Sequence, residues 1–216
     1  MMRLYGYWRS SAAWRVRIAL ALKGLEAEAV PIHLARDGGE QKLPAYLATN
    51  PQGLVPALEA EGQVLTQSLA IIEWLDEVYP APSLLPGDAF RRARIRAFAL
   101  AIACEIHPLQ NLRVQQFLRH DLGQGKEAIQ RWLQRWLGQG MAACEALLAC
   151  EPEGQLFAFG PEPTLADIML APQIYSAERF GVSLAQCPRI AVLGERYAVH
   201  PAFADTHPAR QPDAEA

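Results

Sequence analysis

The run Arg3-Leu4-Tyr5-Gly6-Tyr7-Trp8-Arg9-Ser10-Ser11-Ala12-Ala13-Trp14-Arg15-Val16-Arg17-Ile18 reads as a short strand, a serine pair and the start of a helix. Residues 2–7 suit a strand with Leu4 turned inward. Ser10 or Ser11 offers the helix N-cap, because a serine oxygen can accept from a first-turn N–H that has no carbonyl partner. Trp14, Ile18, Ala21, Leu22 and Leu25 then recur at helical spacing, and Gly24 supplies the stop. Ala29, Val30 and Ile32 make a second strand, so the opening segment is a strand–helix–strand unit with a parallel pair.

Downstream, a loop around Asp37-Gly38-Gly39 precedes a helical turn at Pro44-Ala45-Tyr46-Leu47. Asn50-Pro51-Gln52-Gly53-Leu54-Val55-Pro56 is a turn leading into a strand at Ala57-Leu58-Glu59, and Gly62 turns the chain back through Val64-Leu65-Thr66. Ser68 is placed to cap the next helix, with Leu69, Ile72, Leu75 and Val78 as its apolar face and Pro80 closing it. The prolines and glycine of Pro80-Ala81-Pro82-Ser83-Leu84-Leu85-Pro86-Gly87 cannot continue a helix. That segment therefore divides a front domain, 1–80, from a back domain, 88–216, through a linker at 81–87. The back domain is helical in pattern, over about 88–119, 125–150, 164–180 and 188–199, and Thr164-Leu165-Ala166-Asp167 has the form of a capping box. The tail from Asp205 shows no apolar period and is expected to wrap the surface or stay disordered.

A chain of 216 residues, about half of them apolar, can form two modest domains with real cores. A formal net charge of −3 is too small to argue for nucleic acid or a membrane surface as partner, and neither is expected. There is no run of eighteen apolar residues and no signal-peptide pattern at the start, so a cytoplasmic globular protein is expected. Cys104, Cys144, Cys150 and Cys187 form no C-x-x-C pair and lie near no histidine at ligand spacing, so the expectation is ordinary thiols and no metal.

The segments Tyr7–Leu20, Asn50-Pro51, Val55-Pro56, Gln67-Ser68-Leu69-Ala70-Ile71-Ile72-Glu73, His107-Pro108-Leu109-Gln110-Asn111-Leu112, Ala177-Glu178-Arg179-Phe180 and Arg210-Gln211-Pro212-Asp213 together resemble the zeta class of glutathione transferases. The resemblance implies an α/β thioredoxin-like N-terminal domain followed by an all-α C-terminal domain. It also implies a homodimer, glutathione as cofactor, and cis–trans isomerisation of a small dicarboxylic substrate. Maleylacetoacetate is the first choice, as in tyrosine breakdown, and maleylpyruvate the alternative. A general transferase that conjugates small electrophiles would use the same thiolate with a more apolar pocket, and a non-enzymatic binding module is a further alternative.

The chemistry sets the expected roles. Rotation about a conjugated double bond requires that bond to become temporarily single, and reversible addition of a thiolate achieves this. Only the thiolate is a useful nucleophile, and a free thiol is mostly protonated at neutral pH. Ser10, with Ser11 and Arg9 beside it, is the expected thiolate partner, helped by the positive end of the first helix; plain helix capping is the competing reading for both serines. By resemblance, Ser10, Ser11, Ala12, Gln41, Val55, Pro56, Gln67, Ser68, His107 and Asn111 bind glutathione. The Val55–Pro56 bond is expected to be cis, presenting the Val55 backbone like an added strand. Arg9, Arg179 and Arg113 are the cations for substrate carboxylates, and His107 and Asn111, four apart, are expected to share a helix face. Ala12 stands where the family commonly has cysteine. Asp167 is read as a structural cap.

Overall fold

The computed structural model describes residues 1–215. They form two compact units. One comprises residues 1–84 together with the described residues from Val199 onward; the other comprises Leu85–Ala198.

In the first unit, β1 (Met2–Gly6) pairs in parallel with β2 (Ala27–Pro31) and antiparallel with β3 (Ala57–Ala60), which pairs antiparallel with β4 (Gln63–Thr66). The sheet order is β2-β1-β3-β4. The crossover is α1 (Ser11–Leu22), and α2 (Pro44–Leu47) and α3 (Ser68–Val78) complete the unit before its tail. Leu4 faces Leu58 across β1 and β3 and both are buried, as alternation on a half-covered sheet requires. Helix α1 is buried on more than one side: Ala13, Trp14, Arg15, Val16, Ile18, Ala19 and Leu20 are all inside, whereas the anticipated core residue Ala21 is exposed. The buried face of α3 is Ser68, Ile71, Ile72 and Leu75; of the expected stripe Ile72 and Leu75 are inside, whereas Leu69 is half-buried and Val78 exposed. Lys23 ties α1 to the unit's far end by donating to Asp76 Oδ1 at 2.5 Å and to the carbonyls of Tyr79 and Pro82.

The tail is where the structure departs most from expectation. It packs with the first unit, not with the helices that precede it in sequence. After α9 (Pro188–Val199) and the short α10 (Pro201–Ala204), Thr206 accepts from Trp14 Nε1 at 3.0 Å, and the His207 ring meets the Trp14 ring edge-on at 5.1 Å. Asp213 Oδ2 accepts from the Trp8 backbone N–H at 3.0 Å. The tail segment is therefore ordered by specific bonds to α1 and to the loop before it.

The second unit is helical, with α4 (Ala89–Leu100), a π-helical turn over Ala101–Ile106, α5 (His107–Gln110), α6 (Leu112–His120), α7 (Lys126–Ala149), α8 (Leu165–Arg179) and most of α9. The helix expected over 88–119 is broken. Pro108 has no N–H to offer the preceding turn, and Asn111 leaves the helix with ψ 148° to cap α6. The core of this unit is α8, whose first thirteen positions, Leu165–Ala177, are all buried apart from Tyr175. At its start the capping box is complete: Asp167 accepts from the backbone N–H groups of Ala158 and Thr164, the Thr164 hydroxyl and the Tyr197 hydroxyl. Among the described residues no helix is long and apolar enough to cross a membrane.

Candidate functional site

Three chain segments meet at one end of the sheet because of its register. Tyr5 pairs with Ala57, and Ala57 with Thr66. The chain leaving β1 toward Ser10, the chain entering β3 through Pro56 and the chain leaving β4 through Gln67 thus emerge side by side. In the first unit this gathers Arg9, Ser10, Ser11, Ala12, Val55, Pro56, Gln67 and Ser68 at the N-terminal ends of α1 and α3.

Ser10 is the N-cap of α1, in extended backbone (φ −71°, ψ 115°), and its Oγ accepts from Ala13 N at 3.2 Å. Capping uses one lone pair of the hydroxyl and leaves its proton to donate, so the two sequence readings of Ser10 are compatible. No acidic residue lies in the first turn of α1 or of α3, so no first-turn carboxylate opposes an anion at either positive helix end. Arg9 places its guanidinium over the Trp8 ring, 4.9 Å from the centroid. The loop carrying Arg9 is braced on both sides: Arg17 Nη2 donates to Trp8 O at 2.8 Å, and Asp213 holds Trp8 N–H. Burial brings the Arg17 pKa down to about 10, opposed by Asp213, so Arg17 stays charged at neutral pH.

The Val55–Pro56 bond is cis. Its turn is held by Tyr46 Oη and Asn50 Nδ2, each donating to Leu54 O at 2.7 Å. Gln67, not Ser68, is the N-cap of α3, with positive φ (69°) for a non-glycine residue. Such backbone costs roughly 1–3 kcal/mol and persists only where the surroundings hold it. The Gln67 side chain donates from Nε2 to Gln52 Oε1 at 2.9 Å. Ser68, expected as the cap, is instead the first helical residue, and it is buried. Behind it lies Arg15, 2% exposed, with Nη1 3.5 Å from Ser68 Oγ and with Nε and Nη2 unpartnered.

Gln41 is folded back into its own loop. Nε2 donates to Leu34 O at 3.4 Å, Oε1 is buried without a partner, and Gly39 at φ 106° leaves room that a Cβ would take, 2.5 Å from that oxygen.

The remaining candidates belong to the helical unit. His107 begins α5 and is half-buried. Asn111 does not share a helix face with it, because α5 ends at Gln110 and the Asn111 side chain accepts from Arg113 N at 3.1 Å. Arg113 is exposed. Arg179 ends α8, exposed, with its guanidinium 4.9 Å from the centroid of the Phe180 ring. Among the described residues no group of three or more His, Cys, Asp or Glu could hold a metal ion.

Sequence reasoning passed over Arg15 as a site residue. The signal was present, since Arg15 shares helical spacing with Ile18, Ala19 and Leu22, which places a charge on a core-facing stripe. The bracing by Asp213 had no such signal, because its partner lies 205 residues away.

The fold agrees with known proteins. Residues 4–83 match the glutathione S-transferase N-terminal domain and residues 126–192 the glutathione S-transferase C-terminal domain. A maleylacetoacetate isomerase of Pseudomonas aeruginosa is 53% identical over 98% of this chain and 98% of its own length. The holo structure of a maleyl pyruvate isomerase, a bacterial zeta-class glutathione S-transferase, superposes with a TM-score of 0.95 at 46% identity, covering 99% of this chain and 100% of that one. A maleylacetoacetate isomerase from Anaeromyxobacter dehalogenans, with glutathione bound in its active site, superposes with a TM-score of 0.87 at 42% identity, over 100% of this chain and 98% of that one. The chain belongs to the glutathione S-transferase family, and within it to the zeta class.

Proposed function

We propose that this protein is a glutathione-dependent cis–trans isomerase of a maleyl dicarboxylic acid, with maleylacetoacetate as the first-choice substrate and maleylpyruvate as the alternative. The observation that carries the reading is the pairing of Ser10 at the N-terminus of α1 with the cis Val55–Pro56 turn and the Gln67-Ser68 start of α3 at one end of the sheet. Relatives named for both substrates stand at similar identity across the whole chain, so the assay must offer both.

Bound glutathione supplies a thiolate that can add reversibly to the conjugated double bond. The residues of this chain supply the rest. Ser10 Oγ–H donates a hydrogen bond to the sulfur and keeps its proton, and the first-turn N–H groups of Ser11 and Ala12 add positive potential at the same place, so the anion is favoured over the thiol. The Val55 backbone pairs with the cysteinyl unit in the manner of an added strand. Ser68 and Gln67 receive the γ-glutamyl end, Gln41 lies on the side assigned to the glycyl end, and His107 and Asn111 are assigned further glutathione contacts. Arg9, already ordered by Trp8, is the cation assigned to a substrate carboxylate, with exposed Arg113 and Arg179 for the second. A homodimer and a cytoplasmic setting belong to the same reading.

The test is cis-to-trans conversion of maleylacetoacetate and of maleylpyruvate by the purified protein, with and without substoichiometric glutathione. Conversion that requires glutathione without consuming it is expected. Conjugation of glutathione to electrophiles with no isomerisation would replace this reading with that of a general transferase.

A further inference from the structure

Arg15 is a buried cation with no counter-charge among the described residues. The residue is 2% exposed, and among the described residues its Nε and Nη2 have no hydrogen-bond partner and its one hydrogen bond is from Nη1 to Ser68 Oγ at 3.5 Å. Burial is the one cause that lowers its pKa, to about 10, with no carboxylate opposing the shift; it therefore remains protonated at neutral pH. The chain treats its other buried charges differently. Lys23 is matched by Asp76 and two carbonyls, and Glu151 by Arg91 and Arg94 at 2.5 and 2.6 Å. Isolating a charge from water without a partner is strongly unfavourable, so Arg15 is a cation in a place that lacks an anion.

The direction in which it points identifies that anion. Ser68 is the first residue of an eleven-residue helix with no acid in its first turn. A group that meets the N-terminus of α3 meets free N–H donors and the Ser68 hydroxyl, with the guanidinium directly behind. An Arg15 N–H aimed at Ser68 Oγ also turns the hydroxyl proton away from Arg15, toward the ligand side.

We infer that Arg15 is a positioning residue for glutathione, a buried counter-charge acting through Ser68 that selects the α-carboxylate of the γ-glutamyl group. This rests on the glutathione reading above and adds to it the residue that makes the subsite discriminate for a carboxylate. The unliganded protein bears the cost of the isolated charge, and a carboxylate at Ser68 relieves it.

The test measures binding by calorimetry for two thiols: glutathione, and 4-aminobutanoyl-cysteinyl-glycine, which keeps the amine, thiol and glycyl end and lacks only that carboxylate. The wild type is expected to prefer glutathione by roughly 10- to 100-fold, the range of a charge-assisted contact. Arg15→Met, of similar length and uncharged, is expected to lose about tenfold in glutathione affinity and almost nothing for the analogue, with Arg15→Lys between the two. Its ligand-free melting temperature is expected to equal or exceed that of the wild type, because an unpaired buried charge has been removed. Equal binding of the two thiols by the wild type overturns the inference without needing any variant. Equal loss for both thiols in Arg15→Met reduces Arg15 to a packing residue and also overturns it. Failure of the wild type to bind either thiol removes the glutathione reading itself, and the inference with it.

Discussion

At the scale of single residues, Ser10 and Asp167 illustrate two uses of the same device. Both are oxygen acceptors at helix starts, yet one is half-exposed with a proton to give and the other is sealed among its donors. Ser10→Ala removes the cap and the proposed thiolate donor together. The cap is worth about 1 kcal/mol, so the protein should stay folded. Turnover should fall by roughly 100-fold or more, as for loss of a stabilising donor, with the pH–rate profile displaced upward because the thiol is harder to ionise. Stopped-flow rates across pH check this, and an unchanged profile would remove Ser10 from the chemistry. Asp167 takes four hydrogen bonds in a buried setting, and burial pushes its pKa up against the lowering effect of those donors. Asp167→Ala strands the N–H of Ala158, the N–H of Thr164 and the Tyr197 hydroxyl, and should cost roughly 3–5 kcal/mol in denaturant titration. Ala12 is a plainer case: with no thiol at this position, Ala12→Cys should change the isomerisation rate by less than roughly tenfold if the serine hydroxyl and helix end carry the thiolate as argued.

At the scale of elements, the tail segment after α10 behaves as part of the α1 neighbourhood, and His207 makes its docking pH-dependent. Burial first, then Arg210 and Arg17, hold the His207 pKa below the ordinary 6.5. The released tail therefore binds a proton more readily than the docked one between that lowered value and 6.5, so docking strengthens as pH rises through this window and weakens as pH falls. Proteolytic nicking of the tail should accelerate as pH drops from about 7 to about 5.5, and His207→Gln should flatten the dependence. Legibility in the sequence follows the same division between local and distant causes. The strand–helix–strand opening, the Val55–Pro56 turn, the Thr164–Asp167 box and the limits of α7, α8 and α9 rest on neighbours within a few residues, and they could be read. The break at Asn111 was readable in principle from His107-Pro108 and an asparagine before an apolar run, but helical periodicity on both sides masked it. The Gln67 cap could not be read, because positive φ at a glutamine reflects tertiary constraint and not propensity. Nor could the tail be placed, since the Trp14–Thr206 bond spans 192 residues.

At the scale of the whole molecule, the two units differ in how they are closed. The helical unit is continuous in sequence, whereas the first unit is built from both ends of the chain. Deleting residues 205–216 should therefore weaken the first unit selectively. Hydrogen exchange should quicken in α1 and in the Trp8–Ser10 loop while α7 and α8 keep their protection, and uniform loss across both units would contradict the assignment of the tail. The same closure governs the order of events during synthesis. After Leu84 has been made, about 130 further residues must be added before Asp213 exists, which takes roughly 6–26 s at ordinary elongation rates. Throughout that interval the nascent sheet lacks its last brace, and Trp14 has neither Thr206 nor His207 to cover it. The helical unit can meanwhile fold as soon as its own residues are clear of the ribosome. Of the two units, the one whose translation begins earlier is the one that matures later.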